Sequence, residues 1–286
     1  MKLMSLLSLS LLAMPVVGFS QQPSRELIHI WPGEVPGEAA AKKPIITKKQ
    51  DGIFVGSEVT DPVLEVFPLP GAAVAKSPAV IIFPGGGYQI LALDLEGYEI
   101  AKMFNSFGYT AFVLQYRIPN KRPGSLQDAQ RALKVVKSNA AKYHIDTASV
   151  GVMGFSAGGS LAARLSTRYE DQLYPAQDGA DKLSAKPAFT ALIYPAYLDE
   201  GPGHTLTAEL KIQTGKTPPM FIFQTSDDPY GNSSLVMASA LRFQKVPAEL
   251  HLMPFGGHGY GIRPGKDAAT VWPRLLQHWL DYTRNH

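Results

Sequence analysis

Ser156 stands in the run Gly154-Phe155-Ser156-Ala157-Gly158-Gly159, directly after an apolar stretch (150–155, VGVMGF) and directly before a helical one. A serine hydroxyl is a weak nucleophile unless a base lies beside it and the backbone holds it clear of its own strand. The G-x-S-x-G spacing serves the second need. Small flanking residues let the chain turn sharply from strand to helix, where larger ones would collide with neighbouring backbone. The helix N-terminus behind Ser156 favours negative charge developing nearby. The chemistry this suits is acyl transfer through a covalent serine intermediate.

Three further segments supply what such a serine needs. Pro84-Gly85-Gly86-Gly87-Tyr88 follows the apolar run 79–83, and its glycines allow backbone N–H groups to approach a carbonyl oxygen. An oxyanion hole is expected from the N–H of Ala157 with that of a glycine, Gly86 first and Gly85 second. Gly256-Gly257-His258-Gly259-Tyr260 follows the last apolar run, so His258 can swing to meet the serine as general base. The other histidines (29, 144, 204, 251, 278, 286) lack such a setting. Between the two, Ser226-Asp227-Asp228-Pro229 places a carboxylate pair past a strand end, completing the chain order Ser, Asp, His. One of the two must orient the imidazole; spacing alone leaves Asp227 and Asp228 open. Tyr88 and Tyr260, in glycine-rich loops, and Glu96, near the glycine run, are the candidates for touching substrate.

These segments must be held by elements around them. Runs 79–83 (AVIIF), 110–116, 150–155, 190–194, 220–224 and 248–253 are apolar throughout or nearly so, as in strands buried on both faces of a parallel sheet. They alternate with helical stretches at 94–107, 126–143, 157–169, 233–243 and 268–283. This predicts an α/β fold: a doubly wound, mostly parallel sheet with helices on both faces. Two earlier strands, 27–31 and 59–67, are expected as antiparallel additions at one edge. Ligands in such sheets bind beyond the carboxyl ends of the strands, so the long connections 118–125, 170–188 and 198–217 are expected to supply substrate walls. Asp128, one turn from Arg131, and Arg117 are expected to serve a helix-surface or loop-tethering ion pair rather than to act chemically.

The 286 residues are 45% hydrophobic and 18% charged, with a net charge of +3, so the chain can bury a large core and carries no basic patch for nucleic acid. The lysines at 42, 43, 48 and 49 are interrupted by Pro44, Ile45, Ile46 and Thr47 and suit a solvated surface stretch. Lys2, an apolar run of about 15 residues and small residues at Gly18 and Ser20 predict a secretory signal peptide over 1–20, too short to span a bilayer. Residues 21–286 are then one catalytic domain, exported to the periplasm or beyond and not held in a membrane. The absence of cysteine excludes thiol nucleophiles and disulfides. No cluster of residues at metal-ligand spacing is present, and no metal or organic cofactor is expected.

Taken together, PGGGY, GFSAGG, SDDP and GGHGYG resemble the bacterial acetylxylan-esterase-like, or carbohydrate-esterase-like, branch of the α/β-hydrolase superfamily. The likeness runs from Trp31 (IWPGEVPG) to the closing VWPRLLQHWL and takes in Glu96-Gly97, Tyr116-Arg117 and Leu126-Gln127-Asp128-Ala129. The resemblance implies that the acid is the second of the pair, Asp228, and that the glycine run is an oxyanion loop in which Pro84 replaces the usual His. Ser160 and Tyr230-Gly231-Asn232 depart from many relatives at the pocket rim or its support. The implied activity is hydrolysis of short acyl esters, acetyl above all, on plant polysaccharides such as xylan. Feruloyl or general carboxylesterase activity is the near alternative. A peptidase of the prolyl-oligopeptidase type, which brings a large extra domain, is the more distant one.

Overall fold

The computed structural model describes residues 25–71 and 76–284; the predicted leader lies outside them. An eight-stranded sheet runs through the molecule. Its strands, numbered here along the chain, are β1 (Leu27–His29), β2 (Val63–Phe67), β3 (Ser77–Phe83), β4 (Thr110–Gln115), β5 (Ile145–Phe155), β6 (Thr190–Ile193), β7 (Met220–Thr225) and β8 (Ala248–Met253). Their spatial order is β1-β2-β4-β3-β5-β6-β7-β8. β2 is antiparallel to both β1 and β4, and every other pairing is parallel.

Alternate residues along the central strands enter two separate cores, which explains why these strands carry no polar face. Ile81, Phe83, Phe112, Leu114, Val152 and Ile222 face one side. There they meet α2 (Arg122–Ser138), α3 (Ala157–Arg168) and α4 (Gly231–Phe243). Val80, Ile82, Val113, Met153, Phe155, Phe221 and Phe223 face the other, against α1 (Glu99–Ser106) and α5 (Asp267–Arg284). α3 lies deepest: Ala157 to Thr167 are all buried, as the small residues Ala157, Gly158, Gly159 and Ser160 permit. No helix of the described residues is long and apolar enough to cross a membrane.

Three expectations are corrected, and the lysine-bearing stretch, exposed as expected, gains a secondary structure. The helix expected over 94–107 is two pieces, a π-helical turn at Asp94–Tyr98 and then α1. The lysine-bearing stretch forms a hairpin, Ile46–Gln50 with Ile53–Ser57, completed by Leu91–Ala92. Its first strand is exposed throughout, so no alternation of apolar and polar residues marks it. Asp128 is fully buried and bonds Arg117, while Arg131 reaches Asp178 and Asp181 instead. Finally, α3 runs away from Ser156, so residues 170–188, which join its far end to the start of β6, lie at the amino ends of the strands. They cannot wall a site at the carboxyl ends. Segments 118–125 and 198–217 leave β4 and β6 from those ends and remain beside it.

Candidate active site

Ser156 occupies the turn between β5 and α3 with φ +49°, a conformation that non-glycine residues seldom adopt. Surrounding backbone holds it there. Its N–H donates to Ile193 O at 3.2 Å, and its carbonyl accepts from Ser160 N at 3.0 Å and Ala196 N at 3.1 Å. The flanking glycines are sterically required. A Cβ on Gly154 would sit 2.0 Å from Gly158 O, and one on Gly158 would sit 2.0 Å from Phe83 O.

His258, on the loop after β8, brings Nε2 to 2.7 Å from Ser156 Oγ. Its Nδ1 lies 2.7 Å from Asp228 Oδ2. The Asp228 side chain has no exposure, whereas a quarter of the imidazole remains open to solvent. With the carboxylate ionised, Nδ1–H donates to Asp228 and Nε2 is left to accept from the serine hydroxyl. The other oxygen of Asp228 accepts from Tyr230 N at 2.8 Å. Asp227 does something different. It accepts from Gly257 N at 2.8 Å and Gly256 N at 3.2 Å, and these bonds hold its carboxyl below the usual range. One carboxylate therefore touches the imidazole and its neighbour fixes the loop that carries it.

Beside Ser156, no group among the described residues accepts from the N–H of Ala157, Gly86 or Gly87. Gly85 is corrected as an oxyanion donor: its N–H donates to Glu96 Oε2 at 2.8 Å. Glu96 is corrected as a substrate contact. It is buried, and its other oxygen accepts from Tyr194 Oη–H at 2.8 Å. Tyr194 Oη in turn accepts from Gly261 N at 3.0 Å. Burial pushes the Glu96 carboxyl up, against the pull of its bonds to Tyr194 and Gly85. A continuous chain of bonds thus joins the glycine loop after β3 to the histidine loop after β8.

Tyr88 and Tyr260 are both buried. Tyr88 packs against Tyr116 and Tyr197, and Tyr260 against Tyr194 at 4.5 Å. The aromatic residues nearer the chemistry are Tyr194 and Tyr230, with ring centroids 5.1 and 5.0 Å from that of His258. Tyr197 stands behind Tyr230 at 5.4 Å. Sequence reasoning passed over Tyr197 and Arg122. The available signal for Tyr197 was its place just past the end of an apolar strand, where substrate-facing loops begin. Ser160 is buried and accepts a bond from Arg164, so of the rim and its support the departure at this position falls on the support.

Strand order, the strained serine at the strand-to-helix turn and the histidine past the last strand define an α/β-hydrolase. Residues 65–193 match the family model described as BD-FAE. The chain is 34% identical over 214 residues to an endo-1,4-beta-xylanase B of Butyrivibrio fibrisolvens, covering 65% of this chain and 33% of that protein. It is 28% identical over 209 residues to an acetylxylan esterase of Xylanibacter ruminicola, covering 64% of this chain and 41% of that one. The chain thus spans between a third and about two fifths of the length of these curated relatives. Among solved structures, an acetyl ester-xyloside bifunctional hydrolase from Caldicellulosiruptor lactoaceticus superposes with a TM-score of 0.73 at 29% identity. That match covers 91% of this chain and 97% of the other. These likenesses support an acetylxylan-esterase-like α/β-hydrolase.

Proposed function

We propose that the protein is a serine carboxylic-ester hydrolase that removes short acyl groups, acetyl above all, from plant polysaccharides such as xylan. The observation that carries the reading is the unbroken hydrogen-bond path from Ser156 Oγ through His258 to the buried Asp228. Ser156 attacks the ester carbonyl as His258 Nε2 takes its proton, and Asp228 stabilises the imidazolium. The N–H groups of Ala157 and Gly86 receive the oxyanion, each contributing roughly 3 kcal/mol to the transition state. His258 then protonates the departing alcohol, and water activated by the same imidazole releases the acid. The polysaccharide substrate is supported by the relatives named as acetylxylan esterase and acetyl ester-xyloside hydrolase. Export, supported by the leader-like residues 1–20, places the enzyme where such polymers are met.

The test is hydrolysis of p-nitrophenyl esters from acetate to octanoate, beside acetylated xylan and methyl ferulate, with Ser156→Ala as control. Turnover concentrated on acetyl esters, including xylan, and lost in Ser156→Ala with an unchanged circular dichroism spectrum, is the expected result. Preference for methyl ferulate would replace the acetyl reading with a feruloyl one. A folded protein inactive on all of them would sink the esterase reading.

A further inference from the structure

We infer that Arg122 binds a carboxylate carried on the alcohol side of the substrate, so that the preferred ester is an acylated sugar chain bearing a uronic acid. The inference deepens the esterase reading and rests on it.

Arg122 opens α2, on the segment that leaves the carboxyl end of β4, and it is exposed. Its guanidinium carbon lies 4.9 Å from the ring centre of Tyr88 and 4.7 Å from that of Tyr197. Two aromatic faces therefore hold the group in place, and its N–H edges remain available for a planar, two-oxygen acceptor. Among the described residues no carboxylate pairs with it. The acid that feels its charge, Glu209, is bonded to Arg164 Nε at 2.6 Å. Arg164 spends its other nitrogens on Ser160 and on Tyr197 O. Two guanidinium groups and one carboxylate leave a single cation unmatched at this place.

That place is on the leaving-group side. The alcohol must depart beside His258 Nε2, and the imidazole packs on Tyr230, which packs on Tyr197, over which Arg122 sits. The same tyrosine borders the oxyanion loop: a Cβ on Gly87 would lie 3.8 Å from Tyr197 Oη. A short acyl group held near Ser156 does not extend past two aromatic rings, whereas a sugar chain does. The neighbouring exposed side chains, Gln89 and Asn120, bond each other and add amide groups suited to sugar hydroxyls.

The experiment compares acetylated xylo-oligosaccharides with and without a uronic acid branch, as the ratio of their kcat/KM values. Wild type should prefer the acidic substrate roughly threefold to fivefold, the scale of one exposed ion pair, with the difference in KM and fading as salt rises. Arg122→Gln should bring the ratio to one, and Arg122→Lys should restore part of it. A second arm needs no turnover: Ser156→Ala, titrated calorimetrically with the same oligosaccharides after deacetylation, should bind the acidic one more tightly, and Ser156→Ala/Arg122→Gln should not. A wild-type ratio of one, or a preference that survives Arg122→Gln, would overturn the inference. Absence of hydrolysis on every ester, with the binding preference intact, would instead strike the esterase reading and leave the carboxylate site standing.

Discussion

At the scale of single residues, the adjacent acids Asp227 and Asp228 show how one step along a loop separates two roles. Asp228 is sequestered and meets the imidazole; Asp227 is on the surface and meets two backbone N–H groups. Asp228→Asn should lower kcat by about four orders of magnitude, because an amide can stabilise neither the imidazolium nor the required tautomer. Asp227→Asn should cost about tenfold or less, since an amide oxygen can still accept one of the two glycine N–H bonds. Steady-state kinetics on p-nitrophenyl acetate decides between these outcomes, and a reversed order would exchange the roles. The serine and histidine were legible in sequence because their glycine neighbours are demanded by local backbone geometry. The choice of Asp228 came from family resemblance, since nothing local distinguishes two adjacent carboxylates until both loops are in place.

Among the elements, the bridge from Gly85 through Glu96 and Tyr194 to Gly261 ties the loop after β3 to the loop after β8. Glu96 is thus a positioning residue. Glu96→Ala leaves a buried N–H and a buried hydroxyl without their acceptor, costing roughly 1–3 kcal/mol for each. We expect kcat to fall by about tenfold to a hundredfold with a smaller change in KM, together with a lower Tm, and Glu96→Gln to be milder in both. Equal losses in the two variants would mean that charge rather than hydrogen bonding matters here. Sequence position put Glu96 near the glycine loop but could not say which way it faced. The π-helical turn that carries it inward has no periodic signature, and continuous apolar strands announced the sheet far more clearly than the exposed hairpin at 46–57.

Over the whole molecule, the buried pair Arg117–Asp128 joins segments far apart in the chain. Asp128 also accepts from Trp31 Nε1 at 2.8 Å, and Arg117 donates to Pro36 O at 2.6 Å. Burial pushes the Asp128 carboxyl up, and Arg117 pulls it back. Asp128→Ala strands a guanidinium inside the protein and should destabilise it by roughly 3–5 kcal/mol, measured by urea unfolding. A change below about 1 kcal/mol would show that water reaches the site. Spacing along one helix places Asp128 one turn from Arg131 and leaves open whether its ion pair lies on the helix surface or tethers a loop. The observed partners lie elsewhere in the fold: Arg117 for Asp128, and Asp178 and Asp181 for Arg131.

The same anchoring bears on the order in which the chain can fold. Arg131 Nε donates to Ile30 O across 101 residues, close to the Trp31–Asp128 bond. Among the described residues β1 pairs only with β2 in the sheet, and β2 in turn pairs with β4. During synthesis the segment around Ile30 and Trp31 emerges first, yet its docking site on α2 is made about a hundred residues later. Until then an indole and an isoleucine destined for complete burial stay uncovered, and closing so long a loop is slow. The edge of the sheet is therefore among the last parts of this half to lock, and a chain interrupted before α2 leaves that segment exposed to whatever else will cover it.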